Sequence, residues 1–187
     1  MRTLYLLRHG RTEANERRLY CGATDLPLSP AGRAALAPLH LPLRNPRFFT
    51  SGLRRTEETL RLLFGEVPHR ADARLRELDF GVFEMHGYEE LKHRADYQAW
   101  LSGDNEGNTP PGGESGEEMR RRVLEALHEL AALPDDVVVV THGGVIAAAM
   151  EALFPQEQRS RYDWQPAPGG GYAVTLSPER AYRTIPE

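Results

Sequence analysis

PDDVVVVTHGGVIAAAM, residues 134–150, is the stretch on which the fold turns. Pro134-Asp135-Asp136 interrupts the pattern before it, and four consecutive valines (Val137–Val140) then form a short, wholly apolar run of β-branched residues. Such a run reads as a strand buried on both faces, the habit of parallel sheets covered by helices. It passes through Thr141-His142-Gly143-Gly144 into a second apolar segment, Val145–Phe154, of helical length. A buried strand leading through glycines into a helix is a β-α unit.

The N-terminus repeats the arrangement. Thr3–Leu7 is apolar and bounded by charges, and it ends in Arg8-His9-Gly10. Between these two strands the chain alternates. PLSPAGRAAL offers a helix start at Ser29 with Pro30 in the first turn. Arg47–Ser51 reads as a strand, and Leu53–Phe64 as a helix. Tyr88–Leu101 reads as another helix, followed by the breaker-rich loop SGDNEGNTPPGGE. Ser115 and Glu118 form a capping box for a further helix, along which Met119, Val123, Leu127 and Leu130 recur at helical spacing. A glycine turn at Gly169–Gly171 precedes a last strand, Tyr172–Leu176, and the tail from Ser177 carries little signal. The expectation is an α/β protein: a single three-layer α/β/α domain over residues 1–187, with a mostly parallel sheet and helices on both faces.

Bulk properties narrow the function. The 187 residues suffice for one well-filled core. Apolar residues make up 40% and charged residues 27%, and the formal net charge of −4 recruits neither nucleic acid nor anionic membrane. Arg120-Arg121-Arg122 reads as a solvated helix face. The single cysteine, Cys21, permits no intrachain disulfide and no cysteine cage for a metal. LYLL is cut short by Arg8-His9, which argues against a signal peptide, and no stretch has the length of a membrane span. These features predict a cytoplasmic protein with no nucleic-acid or membrane partner.

Open α/β sheets collect ligands at the carboxyl ends of their strands. If the two histidine-ended strands are neighbours, His9 and His142 meet at one rim of the sheet. Arg8-His9-Gly10-x-Thr12-x-x-Asn15 resembles the signature of the histidine phosphatase superfamily, the phosphoglycerate mutase-like group. Four further landmarks follow in order: Ser51-Gly52-Leu53-Arg54-Arg55-x-x-x-Thr59, with Gly52 in place of the family's proline; Leu75-Arg76-Glu77 with Phe80-Gly81; Pro111-Gly112-Gly113-Glu114-Ser115; and Thr141-His142-Gly143-Gly144.

The resemblance implies metal-independent phosphoryl transfer to His9, without a cofactor, from a small-molecule phosphate ester. Imidazole is nucleophilic when neutral, and nearby cations disfavour its protonation. Arg8 and Arg55 offer planar forks matched to phosphate oxygens. His142 is expected to donate a further hydrogen bond, most effectively as a cation. Glu77 stands at the family position of the acid and base, protonated beside a phosphate dianion, with Glu84, Asp79 and Glu114 as alternatives. Thr12, Asn15, Cys21, Gly22, His86 and Gly143 complete the expected substrate side; for His86 a plain loop role is the competing reading. The short connection after Glu77 favours a phosphatase over a mutase. FEMHGYEEL, DYQAWL and PPGGES resemble the α-ribazole phosphatase subfamily. A broad-specificity phosphatase, a mutase and a silent binding module stay open as alternatives, as does a homodimer.

Overall fold

The structure is a computed structural model that describes residues 2–103, 106–176 and 179–186. Six strands form one sheet: β1 (Thr3–Arg8), β2 (Arg47–Thr50), β3 (His69–Ala71), β4 (Val137–Thr141), β5 (Gly171–Thr175) and β6 (Ala181–Ile185). Their order is β3-β2-β4-β1-β5-β6, with β3, β2, β4 and β1 parallel and the last two antiparallel. The helices are α1 (Glu13–Arg17), α2 (Pro30–Ala34), α3 (Arg54–Phe64), α4 (Tyr88–Leu91), α5 (Ala95–Leu101), α6 (Gly116–Ala132) and α7 (Gly143–Leu153). Among the described residues, no helix is long and apolar enough to cross a membrane.

The valine run divides its side chains between two cores because successive residues of a strand face opposite ways. Val137 and Val139 join Leu4 and Leu6 beneath α6 and α7, against Met119, Val123 and Ile146. Val138 and Val140 join Tyr5 and Leu7 on the other face, against Leu60 and Leu63 of α3. All four valines are buried, each stabilising the sheet by about 1.5–3 kcal/mol through the apolar surface removed from water. Asp136 fixes where the run begins: its buried carboxylate accepts from the Thr3 and Arg44 backbone N–H groups, both at 2.8 Å.

Several expectations change. Tyr88–Leu101 is two helices, because Arg94 is extended and restarts the chain as the N-cap of α5. The strands β3 and β6 carry no alternating apolar pattern, since both lie at sheet edges and are mostly exposed. Backbone pairing to β2 and β5 holds them. Arg122 is not a solvated side chain. It pairs with Glu114 at 2.6 Å and donates to the carbonyls of Arg74, Arg76 and Glu77, so α6 organises the segment that carries Glu77.

Candidate active site

Parallel pairing brings the two histidines together. β1 and β4 run in register with Arg8 opposite Thr141, and the His9 N–H donates to the Thr141 carbonyl at 2.9 Å. The rings of His9 and His142 lie edge to face, 5.1 Å between centroids, and both are buried.

Each ring is held in a defined tautomer. His9 Nδ1 lies 2.6 Å from the Gly10 carbonyl and must donate to it, which leaves Nε2 with its lone pair. Burial, reinforced by the Arg55 and Arg8 charges, lowers the His9 pKa to about 3. His142 departs from the expected cation. Arg55 Nε–H donates to its Nδ1 at 3.3 Å, so the ring hydrogen sits on Nε2 and is given to Ser51 Oγ at 2.8 Å. Burial and the Arg55 charge hold His142 well below the ordinary histidine range. In this arrangement it is a neutral ring whose one donor is taken up by Ser51.

The arginines are preorganised by backbone carbonyls. Arg55 Nη1 and Nη2 donate to the Thr24 and Gly22 carbonyls at 2.8 and 2.7 Å, leaving one N–H on each nitrogen. Arg8 Nη1 donates to the Pro166 carbonyl at 2.8 Å, while its buried Nε has no partner. Gly143 lies against Gln165 and the Arg8 guanidinium: a Cβ there would meet Gln165 Oε1 at 2.8 Å and Arg8 Cζ at 3.2 Å.

Glu77 belongs to the same site through two ties. Thr141 Oγ1 donates to the Leu75 carbonyl at 2.6 Å, anchoring the preceding turn to the end of β4. The Gly144 N–H, in the first turn of α7, donates to Glu77 Oε2 at 3.0 Å. The Leu78 N–H donates to the other oxygen at 3.0 Å. The alternative carboxylates are committed elsewhere: Asp79 accepts from the Gly81 N–H, and Glu114 pairs with Arg122. Glu84 accepts from the N–H groups of Gly22, Ala23, Thr24 and Phe80 and from the Thr24 hydroxyl.

One cavity of about 320 Å³ is lined by Arg8, His9, Asn15, Cys21 and Glu77, with walls that include Tyr20, Phe80 and Trp100. Thr12 is the N-cap of α1, and its N–H and hydroxyl both donate to Asn15 Oδ1, so the Asn15 amide has its NH₂ left to offer. The Gly22 N–H is taken up by Glu84, which makes Gly22 part of the support for Arg55. Cys21 lines the wall, where burial raises its thiol pKa. His86 does not join them: it is exposed, 3.6 Å from Glu90. Among the described residues, no group of three or more His, Cys, Asp and Glu side chains is placed to hold a metal.

Sequence reasoning did not assign Ser51 as the support of His142, nor place Arg161, Tyr162 and Gln165 in the cavity wall. Ser51 stands inside a recognisable motif, which is the signal that could have singled it out. The other three come from a loop without a recognisable pattern.

Residues 4–182 match the family model of the histidine phosphatase superfamily (branch 1). The chain is 31% identical to the adenosylcobalamin/alpha-ribazole phosphatase of Salmonella typhimurium, over 92% of its own length and 90% of that protein's. It is 29% identical to a "probable phosphoglycerate mutase GpmB" of Yersinia enterocolitica, over 100% and 97% of the two chains. Among solved structures, TTHB049 from Thermus thermophilus superposes with a TM-score of 0.74 at 32% identity, covering 96% of each chain.

Proposed function

The chain belongs to the histidine phosphatase superfamily (branch 1), and from that premise we propose that it is a metal-independent phosphomonoesterase working through phosphorylated His9. The observation that carries this reading is the His9 ring. Nδ1–H is fixed on Gly10, and a pKa of about 3 keeps Nε2 unprotonated at neutral pH.

In the first step the Nε2 lone pair attacks phosphorus and the bond to the ester oxygen breaks. Glu77, as the acid, gives its proton to that oxygen, and the alcohol leaves. In the second step Glu77 takes a proton from water, whose oxygen attacks the phosphohistidine. The P–N bond breaks, and inorganic phosphate departs. Arg8, through its unpartnered Nε, and Arg55, through its two remaining N–H groups, neutralise the charge on the phosphoryl oxygens. Asn15 adds a donor from its amide. His142 positions Arg55 in the neutral state and becomes a phosphate donor by releasing Ser51.

We propose α-ribazole 5′-phosphate as the substrate, acted on in the cytosol. The name of the Salmonella relative supports it, as does a cavity wall of Tyr20, Phe80 and Trp100 suited to a flat aromatic base. The Yersinia relative's name favours a second reading, a mutase, which would convert 3-phosphoglycerate to 2-phosphoglycerate rather than release phosphate.

Replacing His9 by alanine tests the mechanism. His9→Ala is expected to abolish phosphate release and the labelled phosphohistidine formed with a ³²P ester, while the wild-type enzyme keeps its rate in EDTA. Retention of more than about a tenth of the activity would overturn the assignment, since loss of a covalent nucleophile costs orders of magnitude.

A further inference from the structure

The cavity runs from a buried end to an exposed rim. His9 and Arg8 mark the buried end; Leu101 and Tyr162, 42% and 74% exposed, mark the rim. Among the described lining residues the charged side chains are Arg8, Glu77 and Arg161. A substrate whose phosphate sits at His9 therefore extends its leaving group into the rest of the cavity, where Arg161 is the lining cation besides Arg8 among the described residues. Left open, this guanidinium would attract a second anionic group, since arginine is built to grip carboxylates.

It is not left open. Arg161 Nη1 forms an ion pair with Glu106, which lies in the loop before α6. Glu106 is fixed in turn. Its backbone carbonyl accepts from the Glu117 N–H at 3.0 Å, and its carboxylate packs against Gly116, the first residue of α6, so closely that a Cβ there would collide with it. The N-terminal end of a 17-residue helix favours a carboxylate in that position. The remaining rim is aromatic and apolar: Trp100, Leu101, Tyr162.

We infer that the Glu106–Arg161 pair is a specificity device: it cancels the rim cation, so the site admits phosphate esters with uncharged, flat leaving groups and discriminates against those bearing a carboxylate. The inference rests on the reading of His9 as the phosphoryl acceptor, which places the leaving group at the rim. Both partners are part-exposed, so the effect is moderated by solvent.

The test compares binding of 2-phosphoglycolate, which carries a phosphate and a carboxylate, with binding of inorganic phosphate. Titration calorimetry on the full chain reads both without requiring turnover. In Glu106→Gln, 2-phosphoglycolate is expected to bind about fivefold to tenfold more tightly, with phosphate unchanged within about twofold, as one charge-assisted contact at a part-exposed site would give. Adding Arg161→Gln should erase the gain. Arg161→Gln alone removes the cation and leaves the Glu106 carboxylate at the rim, so 2-phosphoglycolate should weaken relative to phosphate. The proposal is overturned by an unchanged ratio in Glu106→Gln, by a gain that survives loss of Arg161, or by an unchanged ratio in Arg161→Gln alone. That last variant keeps the test decisive should Glu106→Gln fail to fold. A wild-type enzyme that does not hydrolyse p-nitrophenyl phosphate would instead refute the phosphatase reading itself.

Discussion

Two imidazoles with centroids 5.1 Å apart, both buried among arginines, cannot both be cations. His9 is kept neutral by burial and by Arg55 and Arg8, which is the state a nucleophile needs. The same forces act on His142, and there they overturn the simple expectation of a charged donor. Adjacency of Arg8 and His9 in sequence suggested the first result. The second depended on Arg55 arriving from a helix 87 positions away, its Nε aimed at His142 Nδ1. At this scale the sharpest prediction concerns Glu77. Glu77→Gln keeps its shape but has no proton to give a departing alkoxide. We expect a loss of about 100-fold or more on alkyl phosphates and less than about tenfold on p-nitrophenyl phosphate, whose leaving group needs little protonation. Steady-state kcat values on both substrates decide it, and equal losses would remove Glu77 from the acid role.

Elements place these residues through loops more than through their own regular segments. The turn from Cys21 to Thr24 wraps the Glu84 carboxylate, which takes three of its N–H groups, while the carbonyls of Gly22 and Thr24 hold Arg55. Gly22 is required there because any Cβ would drive into the Leu78 carbonyl. Glu84→Ala is therefore expected to cost about 3 kcal/mol of stability, as a part-buried set of N–H groups loses its charged acceptor. Activity should fall as well, because Arg55 loses its support. Urea denaturation and kcat/KM on p-nitrophenyl phosphate measure the two effects, and a variant normal in both would contradict the role assigned to this turn. Gly52 belongs to the same scale. Where the family pattern has proline, this chain has a glycine at φ +79°, a conformation closed to proline, so the turn into α3 takes a different backbone path.

Over the whole molecule, two neutral buried histidines make stability depend on pH. An unfolded histidine titrates near 6.5, whereas folded His9 titrates near 3 and folded His142 well below 6.5. Between those values the unfolded chain binds more protons, so stability must fall as the pH drops through 6.5 and toward 3. Between pH 7 and pH 5 the expected loss from His9 alone is about 2 kcal/mol. Urea unfolding at the two pH values should show it, and His9→Gln should flatten the dependence; an unaltered slope in that variant would contradict the assignment. The buried strands β1, β2 and β4, the helix starts capped by Ser29 and Ser115 and the histidine-ended loops were legible in the order of residues, because apolar periodicity, capping chemistry and glycine placement are local properties of the chain. The helix α1, capped by Thr12, was not among them. Edge strands β3 and β6 were not legible, since they are held by backbone pairing to neighbours rather than by apolar side chains of their own. The tautomer of His142, the work of Glu84 and Arg122, and the cancellation of Arg161 by Glu106 emerged only on folding. Each of these is a charge or hydrogen bond between residues far apart in the chain, and such pairings exist only once the sheet has brought its strand ends to one rim.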